Sequence, residues 1–394
     1  MSKLMDVQTE AQTGTEAQTG PASPGPDLSR ISPPYRVAGP DEGFSPEELA
    51  LAARNHGMPQ EALRYDVTPV GLHYLLTHYD IPAIDPAAWR LTVGGRVTRP
   101  LTLDLHSLRA IPARTIRVTM ECAGNGRAGL DPRPVSQPWL VHAVGTAEWT
   151  GAPLRDLLAI TGIEEDAVEI VFTGADHGLE RGVEQDYRRS LPLAEALSRD
   201  VLLAYAMNGA PLPPQHGAPV RLVVPGWYGM AHVKWLRDIT VASEPFTGYQ
   251  QNAYRLRQTP QEPGEPVTRI RPRALMVPPG FPDFLSRTRI VHPGPVLLRG
   301  RAWSGSAPVT GVAVSTDGGT RWAPAILDEP DGHRHAWRGW SFAWRATPGE
   351  YLLAAHATDD SGATQPTTQS WTAGGFANNA IQLVRTVCVP TTTT

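Results

Sequence analysis

Residues 115–127 read TIRVTMECAGNGR. The first six residues have the composition of a strand, and the strand runs into a loop of small residues, Cys122-Ala123-Gly124-Asn125-Gly126, closed by Arg127. A loop without bulky side chains lets other groups approach the cysteine sulfur closely. Two readings of Cys122 stand side by side. A buried free cysteine behaves as a small hydrophobe, whereas a thiol beside a cation has its pKa lowered and is ready to react or to bind a metal. The other cysteine, Cys388, sits in TVCV near the end of a β-like stretch and reads as core. With only these two, far apart, there is no CxxC pair, no CxxCH haem attachment and no disulfide framework.

Outward from the cysteine loop, short mixed segments follow one another. LTVGGRV (91–97), PVRLVVPG (219–226) and HVKWLRDITV (232–241) read as strands, while PLRDLLAI (153–160) and PLAEALSR (192–199) read as helices. Upstream, Ser45-Pro46-Glu47-Glu48 has the form of an N-cap, a proline in the first turn and a capping-box glutamate, so a short helix is expected to run toward Gly57. This is an α+β pattern. After Tyr254 a proline-rich connector (260–279) leads to VLLRGRAW, VTGVAVST, WSFAWRA and YLLAAHAT, strand-like pieces with Asp317-Gly318-Gly319 as a hairpin turn between two of them. Strands at this spacing predict a β-sandwich beginning near residue 265.

At 394 residues the chain has room for two folded units. Its 37 Gly and 39 Pro favour turns and short strands over bundles and coiled coils. The expected division is a disordered tail over residues 1–40, with two EAQTG repeats and no aromatic before Tyr35, then an α+β domain over 41–260 and a β-sandwich over 261–394. A formal net charge of -4 gives no global attraction to nucleic acid or anionic membrane, so an anion site must be a local basic cluster. No apolar run reaches the roughly 18 residues of a membrane helix, and the first thirty residues lack a signal core and a twin-arginine start; the chain as written is expected in the cytoplasm.

Such a basic cluster is present. If 219–226 and 232–241 are strands joined through Gly226-Trp227-Tyr228-Gly229, Arg221, His232 and Lys234 fall on one anion-binding face, with His216 just upstream. A solvated sheet face would look the same.

Taken together, these segments resemble the sulfite oxidase family, which includes sulfite dehydrogenases and plant nitrate reductases. ECAGNGR resembles the family's cysteine loop, EWTGAPLRDLL follows in place, and LLAYAMNGAPLPPQHGAPVRLVVPG and MAHVKWL complete its molybdopterin-binding domain. GRAWSGSAPVTGVAVSTDGGTRW resembles the family's immunoglobulin-like dimerisation domain. The resemblance spans about residues 65–390 and implies a mixed α+β molybdopterin domain followed by an immunoglobulin-like sandwich.

By this resemblance Cys122 gives its thiolate to molybdenum. His78, Asp176, His216, Arg221, His232, Val233 (through its backbone) and Lys234 hold the pterin. Arg127, Trp139 and Tyr254 form the substrate pocket, Arg127 holding an anion and Tyr254 assisting proton-coupled electron transfer. The implied activity is oxygen-atom transfer, foremost sulfite to sulfate. A sulfoxide or nitrate reductase with the same cofactor is the alternative, and a non-catalytic immunoglobulin-like binding protein the remote one. A homodimer is implied, without haem in this chain, passing electrons to a separate acceptor such as a c-type cytochrome. Two positions depart from the family pattern. Leu76 stands where an arginine usually begins an Arg-x-His segment, and Ile381-Gln382-Leu383, with Arg385 two residues on, stands where another arginine is usual.

Overall fold

The computed structural model describes residues 36–390. Of the expected tail, residues 1–35 lie outside the described part, while Val37 already bridges to Pro134. Helix α1 (Pro46–Arg54) starts where the capping box predicts: Glu48 N–H donates to Ser45 Oγ at 3.2 Å and Ser45 N–H to Glu48 Oε2 at 2.9 Å. It stops at Asn55, short of Gly57, because the Asn55 side chain turns away to Gln137 and the Thr77 backbone.

Two sheets build the first half. One has the order β2 (Leu101–Leu103), β1 (Leu91–Gly95), β10 (Leu236–Ala242), β5 (Glu169–Glu180), β6 (Val183–Pro192). The other runs β3 (Arg114–Glu121), β4 (Val144–Pro153), β7 (Leu202–Met207), with β8 (Ala210–Pro211) and β9 (Arg221–Val223) on successive parts of the free edge of β7. Helices α2 (Leu105–Arg109), α3 (Leu154–Thr161) and α4 (Leu193–Ala196) are short connectors. On α3, Leu154, Leu157, Leu158 and Thr161 are buried, the i, i+3, i+4, i+7 stripe of a helix laid on a core. That core takes Leu91, Val93, Ile170, Phe172, Leu222 and Ile239 from both sheets.

Helix α5 (Tyr249–Ala253) and the small hairpin β11 (Arg255–Leu256), β12 (Glu265–Pro266) lead into a sandwich of two sheets. One is β13 (Arg273–Val277), β16 (Gly294–Trp303), β20 (Arg338–Ala346), β19 (Ile326–Leu327); the other is β14 (Phe281–Pro282), β15 (Arg289–Val291), β22 (Gln382–Cys388), β21 (Gly349–Asp359), β17 (Val309–Ser315), β18 (Ala323–Pro324). Alternation is cleanest on β22, where Gln382, Val384, Thr386 and Cys388 are buried and Leu383 and Arg385 exposed. Cys388 is therefore core. Asp317-Gly318-Gly319 lies in the β17–β18 connection, longer than a two-residue turn, with Asp317 Oδ1 accepting from the Thr320 and Arg321 N–H groups.

The expected hairpin of two strands carrying the basic cluster is not what forms. β9 is only three residues long and belongs to the β7 sheet, β10 begins at Leu236 in the other sheet, and His232–Trp235 between them is irregular, with Trp235 at φ 50°. Cross-links join the two sheets here, Leu222 N–H donating to Val233 O at 2.8 Å and Leu236 N–H to Val220 O at 2.9 Å. The residues still converge, but at the crossing of two sheets.

Candidate active site

Cys122 is the first residue beyond β3. Its N–H donates to Ala143 O at 2.9 Å, and its carbonyl accepts from Asn125 N–H at 3.0 Å, closing a tight turn. The Asn125 side chain locks that turn from inside, accepting from Ala143 N–H at 3.0 Å and donating to Glu121 Oε1 at 3.0 Å. Two cavities open on either side of the sulfur. An inner one is lined by His73, Tyr74, His78, Asp176, His216, Arg221, His232 and Lys234, and a larger outer cleft by Arg127, Trp139, Glu180, Arg181 and Phe376. Cys122, Leu76, His78 and Tyr254 line both, so the thiol stands at their common wall.

The inner cavity is cationic, and burial strains it. Burial pushes Lys234 down to about 7, with the Arg221 charge adding and Asp176 opposing. Burial likewise lowers His73 to about 4, His232 to about 3 and Arg221 to about 10. The Asp176 carboxyl is raised to about 6 by burial, against the pull of Lys234. Some polar atoms here are buried with no hydrogen-bond partner: Asp176 Oδ1, Arg221 Nε and His73 Nε2. Buried polar groups are rarely left so, and each lost partner costs about 1–3 kcal/mol. One orphaned donor (Arg221 Nε), two orphaned acceptors (Asp176 Oδ1 and His73 Nε2) and the charges of Arg221 and Lys234 around a polar cavity beside one thiol fit a large anionic heterocyclic ligand with both donor and acceptor edges and a thiolate-bound metal.

Remaining donors hold the lining in place. Arg221 donates from Nη1 to His216 O at 3.0 Å and from Nη2 to His232 O at 3.2 Å, with its guanidinium 4.8 Å from the Trp149 ring centroid. His232 Nδ1 accepts from Val224 N–H at 3.1 Å, which leaves Nε2 as the donor to Trp227 O at 3.1 Å. Lys234 Nζ donates to Leu76 O at 2.7 Å and to Gln215 O at 3.3 Å. Val233 is the exception among the expected pterin contacts. It is in the core, off both cavity linings, its N–H given to Ala231 O and its carbonyl to Leu222 N–H.

In the outer cleft Arg127 is buried, donating from Nε to Gly374 O at 2.9 Å and from Nη1 to Gln137 O at 3.2 Å, and lying 5.2 Å from the Phe376 ring centroid. Gly124 is required for this, since a Cβ there would lie 2.6 Å from Arg127 Nη2. Tyr254 Oη and His78 Nε2 are hydrogen-bonded at 2.8 Å, and the Tyr254 ring is flanked by Phe376 and the Arg189 guanidinium. The Trp139 indole Nε1 is buried and makes no aligned hydrogen bond, though its N–H favours ionisation of the nearby Cys122 thiol. One expectation is corrected here. Arg127 does pull the Cys122 thiol toward ionisation, but burial outweighs it and the pKa is raised, so the protein alone keeps this cysteine protonated.

Sequence reasoning missed His73 and Tyr74, ordinary-looking in GLHYLL, and Arg181, at φ 52° on the β5–β6 turn beside Gly182. It also missed the second-half segment Ala373-Gly374-Phe376, which lines the cleft in place of residues 381–385. No short-range pattern marks a segment that reaches a loop some 250 positions earlier.

A cysteine at the neck between a buried cationic cavity and an open cleft, on two crossed sheets backed by a sandwich, is built for an enzyme that holds a buried anionic cofactor beside a substrate cleft. Residues 78–250 match the oxidoreductase molybdopterin binding domain and 277–387 the Mo-co oxidoreductase dimerisation domain. Rat mitochondrial sulfite oxidase is 33% identical over 391 residues, covering 92% of this chain and 70% of that protein. Chicken sulfite oxidase is 36% identical over 319 residues, covering 76% and 68%. Tomato NADH nitrate reductase is 31% identical over 354 residues, and only 39% of its length is covered. Among solved structures, the sulfane dehydrogenase SoxCD of Paracoccus pantotrophus superposes with a TM-score of 0.73 at 24% identity, covering 95% of this chain and 92% of that one, a likeness of fold. This chain belongs to the sulfite oxidase family of molybdopterin oxidoreductases and is an enzyme with a molybdenum–molybdopterin cofactor. No helix among the described residues is long and apolar enough to cross a membrane.

Proposed function

We propose that the enzyme oxidises sulfite to sulfate, with Cys122 as the protein's ligand to molybdenum. The observation that carries this is the cation placed at the mouth of the thiol's neck: Arg127 is fixed by two backbone carbonyls and has no carboxylate among the charges acting on it. An oxyanion entering the outer cleft meets this guanidinium, and Arg181 also lines that cleft.

When bound, molybdenum with its pterin supplies oxygen-atom transfer and a two-electron store. Asp176, His216, Arg221, His232 and Lys234 would hold the pterin from the inner cavity, their orphaned and charge-strained groups gaining partners. Cys122 would give up its raised proton on ligation, since a metal-bound thiol is deprotonated outright. Trp139 and Phe376 wall the cleft and narrow water's approach. Tyr254 holds a proton at Oη, its ionisation pushed well above the ordinary range by burial, and His78 Nε2 is the adjacent partner to exchange it with. Electrons pass to a separate acceptor such as a c-type cytochrome, and the chain works as a homodimer through its dimerisation domain.

Leu76 favours a second reading. It lines both cavities where the resemblance expects an arginine, and an apolar wall with one fewer charge suits a neutral sulfoxide. Steady-state assays with sulfite, against ferricyanide and cytochrome c, decide between the two. Sulfite-dependent reduction is expected; its absence, together with efficient turnover of a sulfoxide, overturns the sulfite reading and leaves the family standing.

A further inference from the structure

The cysteine loop is gripped at both ends by the second half of the molecule. Behind the thiol, Glu121 is only 1% exposed, yet it has one charged and one neutral partner from the sandwich: Arg273 Nε of β13 lies 2.8 Å from Oε1, and Trp303 Nε1 of β16 donates to Oε2 at 2.8 Å. The Arg273 Nε–H is not aligned on the carboxylate, so this contact is an ion pair and not a directed hydrogen bond. Arg273 also donates from Nη2 to Asn378 O. On the far side of the loop, Ala377 N–H donates to Ala123 O at 2.8 Å and Asn378 Nδ2 to Gly126 O at 2.8 Å.

A carboxylate and a guanidinium taken out of water each carry a large desolvation cost before their attraction is counted. Apolar side chains would glue two domains at less cost, as the cluster of Leu63, Tyr228, Ile270 and Leu275 does a short way off. What an ion pair with its own hydrogen bonds adds is a fixed geometry. Glu121 is the residue before the thiol, and its Oε1 also takes the Asn125 side chain that closes the turn. Any shift of this carboxylate therefore moves both the start and the lock of the loop.

We propose that Glu121, held by Arg273 and Trp303 of the sandwich, is a positioning residue that sets the direction of the Cys122 sulfur toward the metal. The second domain then takes part in the reaction's geometry as well as in assembly. The proposal rests on Cys122 being the molybdenum ligand.

The test uses cofactor-loaded, full-length protein carrying Glu121→Gln or Trp303→Phe, with four readings: melting temperature, molybdenum per chain, the thiolate-to-metal absorption band, and kcat and KM separately. A positioning role shifts the band and lowers kcat about 10- to 100-fold, the usual effect of losing a group that orients a metal ligand, with KM and molybdenum content near wild type. A lower melting temperature with band and kcat unchanged makes the pair mere domain adhesive and overturns the proposal. Should Glu121→Gln fail to fold, Trp303→Phe carries the test, because it removes one donor and keeps an aromatic ring; an unaltered band and kcat there overturn it equally. Cys122→Ser is the control on the underlying reading. If that variant keeps the band and its turnover, cysteine ligation itself is wrong, whatever the clamp variants do.

Discussion

At Cys122 two influences oppose each other, and the structure decides between them. Arg127 favours the thiolate, but the sulfur is buried and desolvation wins, so the proposed ligation to molybdenum is what would ionise it. Cys122→Ser is expected to abolish turnover and Cys388→Ser, in the sandwich core, to leave it nearly intact; assay with molybdenum analysis checks both. Arg127→Ala should raise KM for sulfite by about 10- to 100-fold, the worth of one charge-assisted hydrogen bond. Gly124→Ala should act in the same direction without touching any charge, because the new Cβ displaces the guanidinium it would abut. Leu76→Arg should lower KM, all at fixed ionic strength, since screening alone alters anion affinity. The individual residues of the site were legible because their motifs are local: Cys122 and Arg127 share one loop, and Arg221 with His232 and Lys234 share one stretch of text. Val233 was expected to act through its backbone, and sequence does not say that its N–H is already given to Ala231 O and its carbonyl to Leu222 N–H.

The irregular segment between β9 and β10 shows what pattern reading does and does not reach. Alternation in PVRLVVPG and HVKWLRDITV is real, but it describes two strands that end in different sheets, and the chain breaks extended form at Trp235 to pass between them. Lys234 is half-buried as a result, its ammonium largely desolvated, and a pH effect follows. In the folded, cofactor-free chain its pKa is about 7 against an ordinary 10.5. Between those values the unfolded chain binds the extra proton, so stability should rise with pH, by at most about 1.4 kcal/mol per unit for one group. Asp176 acts with the opposite sign, but only between 3.8 and about 6, while the depressed histidines act with the same sign as Lys234, but only below 6.5. Denaturant unfolding of cofactor-free protein from pH 7 to 9 should therefore show a positive slope that Lys234→Met removes. Equal slopes in the two proteins would refute the burial of a strained ammonium. The helix at Pro46–Arg54 lay within easier reach, because a capping box is written in four consecutive residues.

On the scale of the whole molecule, two sequence-distant halves make one site. The α+β character, the sandwich and their order could be read from segment periods, whereas the contact of Gly374, Ala377 and Asn378 with the cysteine loop depends on packing across the seam. The seam is tight enough for backbones to touch: Ile270 N–H donates to Gly226 O at 2.9 Å and Gly305 N–H to Ile270 O at 2.8 Å, and a Cβ on Gly305 would lie 1.9 Å from Gly226 O. Assembly is the remaining expectation. The most exposed large apolar side chains are all on the sandwich, Leu285 at 86%, Phe284 at 83% and Ile326 at 73%. Phe284 and Leu285 are adjacent on the β14–β15 turn, and a domain of the dimerisation type makes a second copy the expected partner, with two-fold symmetry the commonest arrangement. Light scattering at micromolar concentration should thus give twice the chain's 42.6 kDa. Protection of amide hydrogens on dimer formation should fall on the sandwich and spare the outer cleft, which must stay open to substrate and electron acceptor. A strictly monomeric protein, or protection centred on Arg127 and Arg181, would contradict this arrangement.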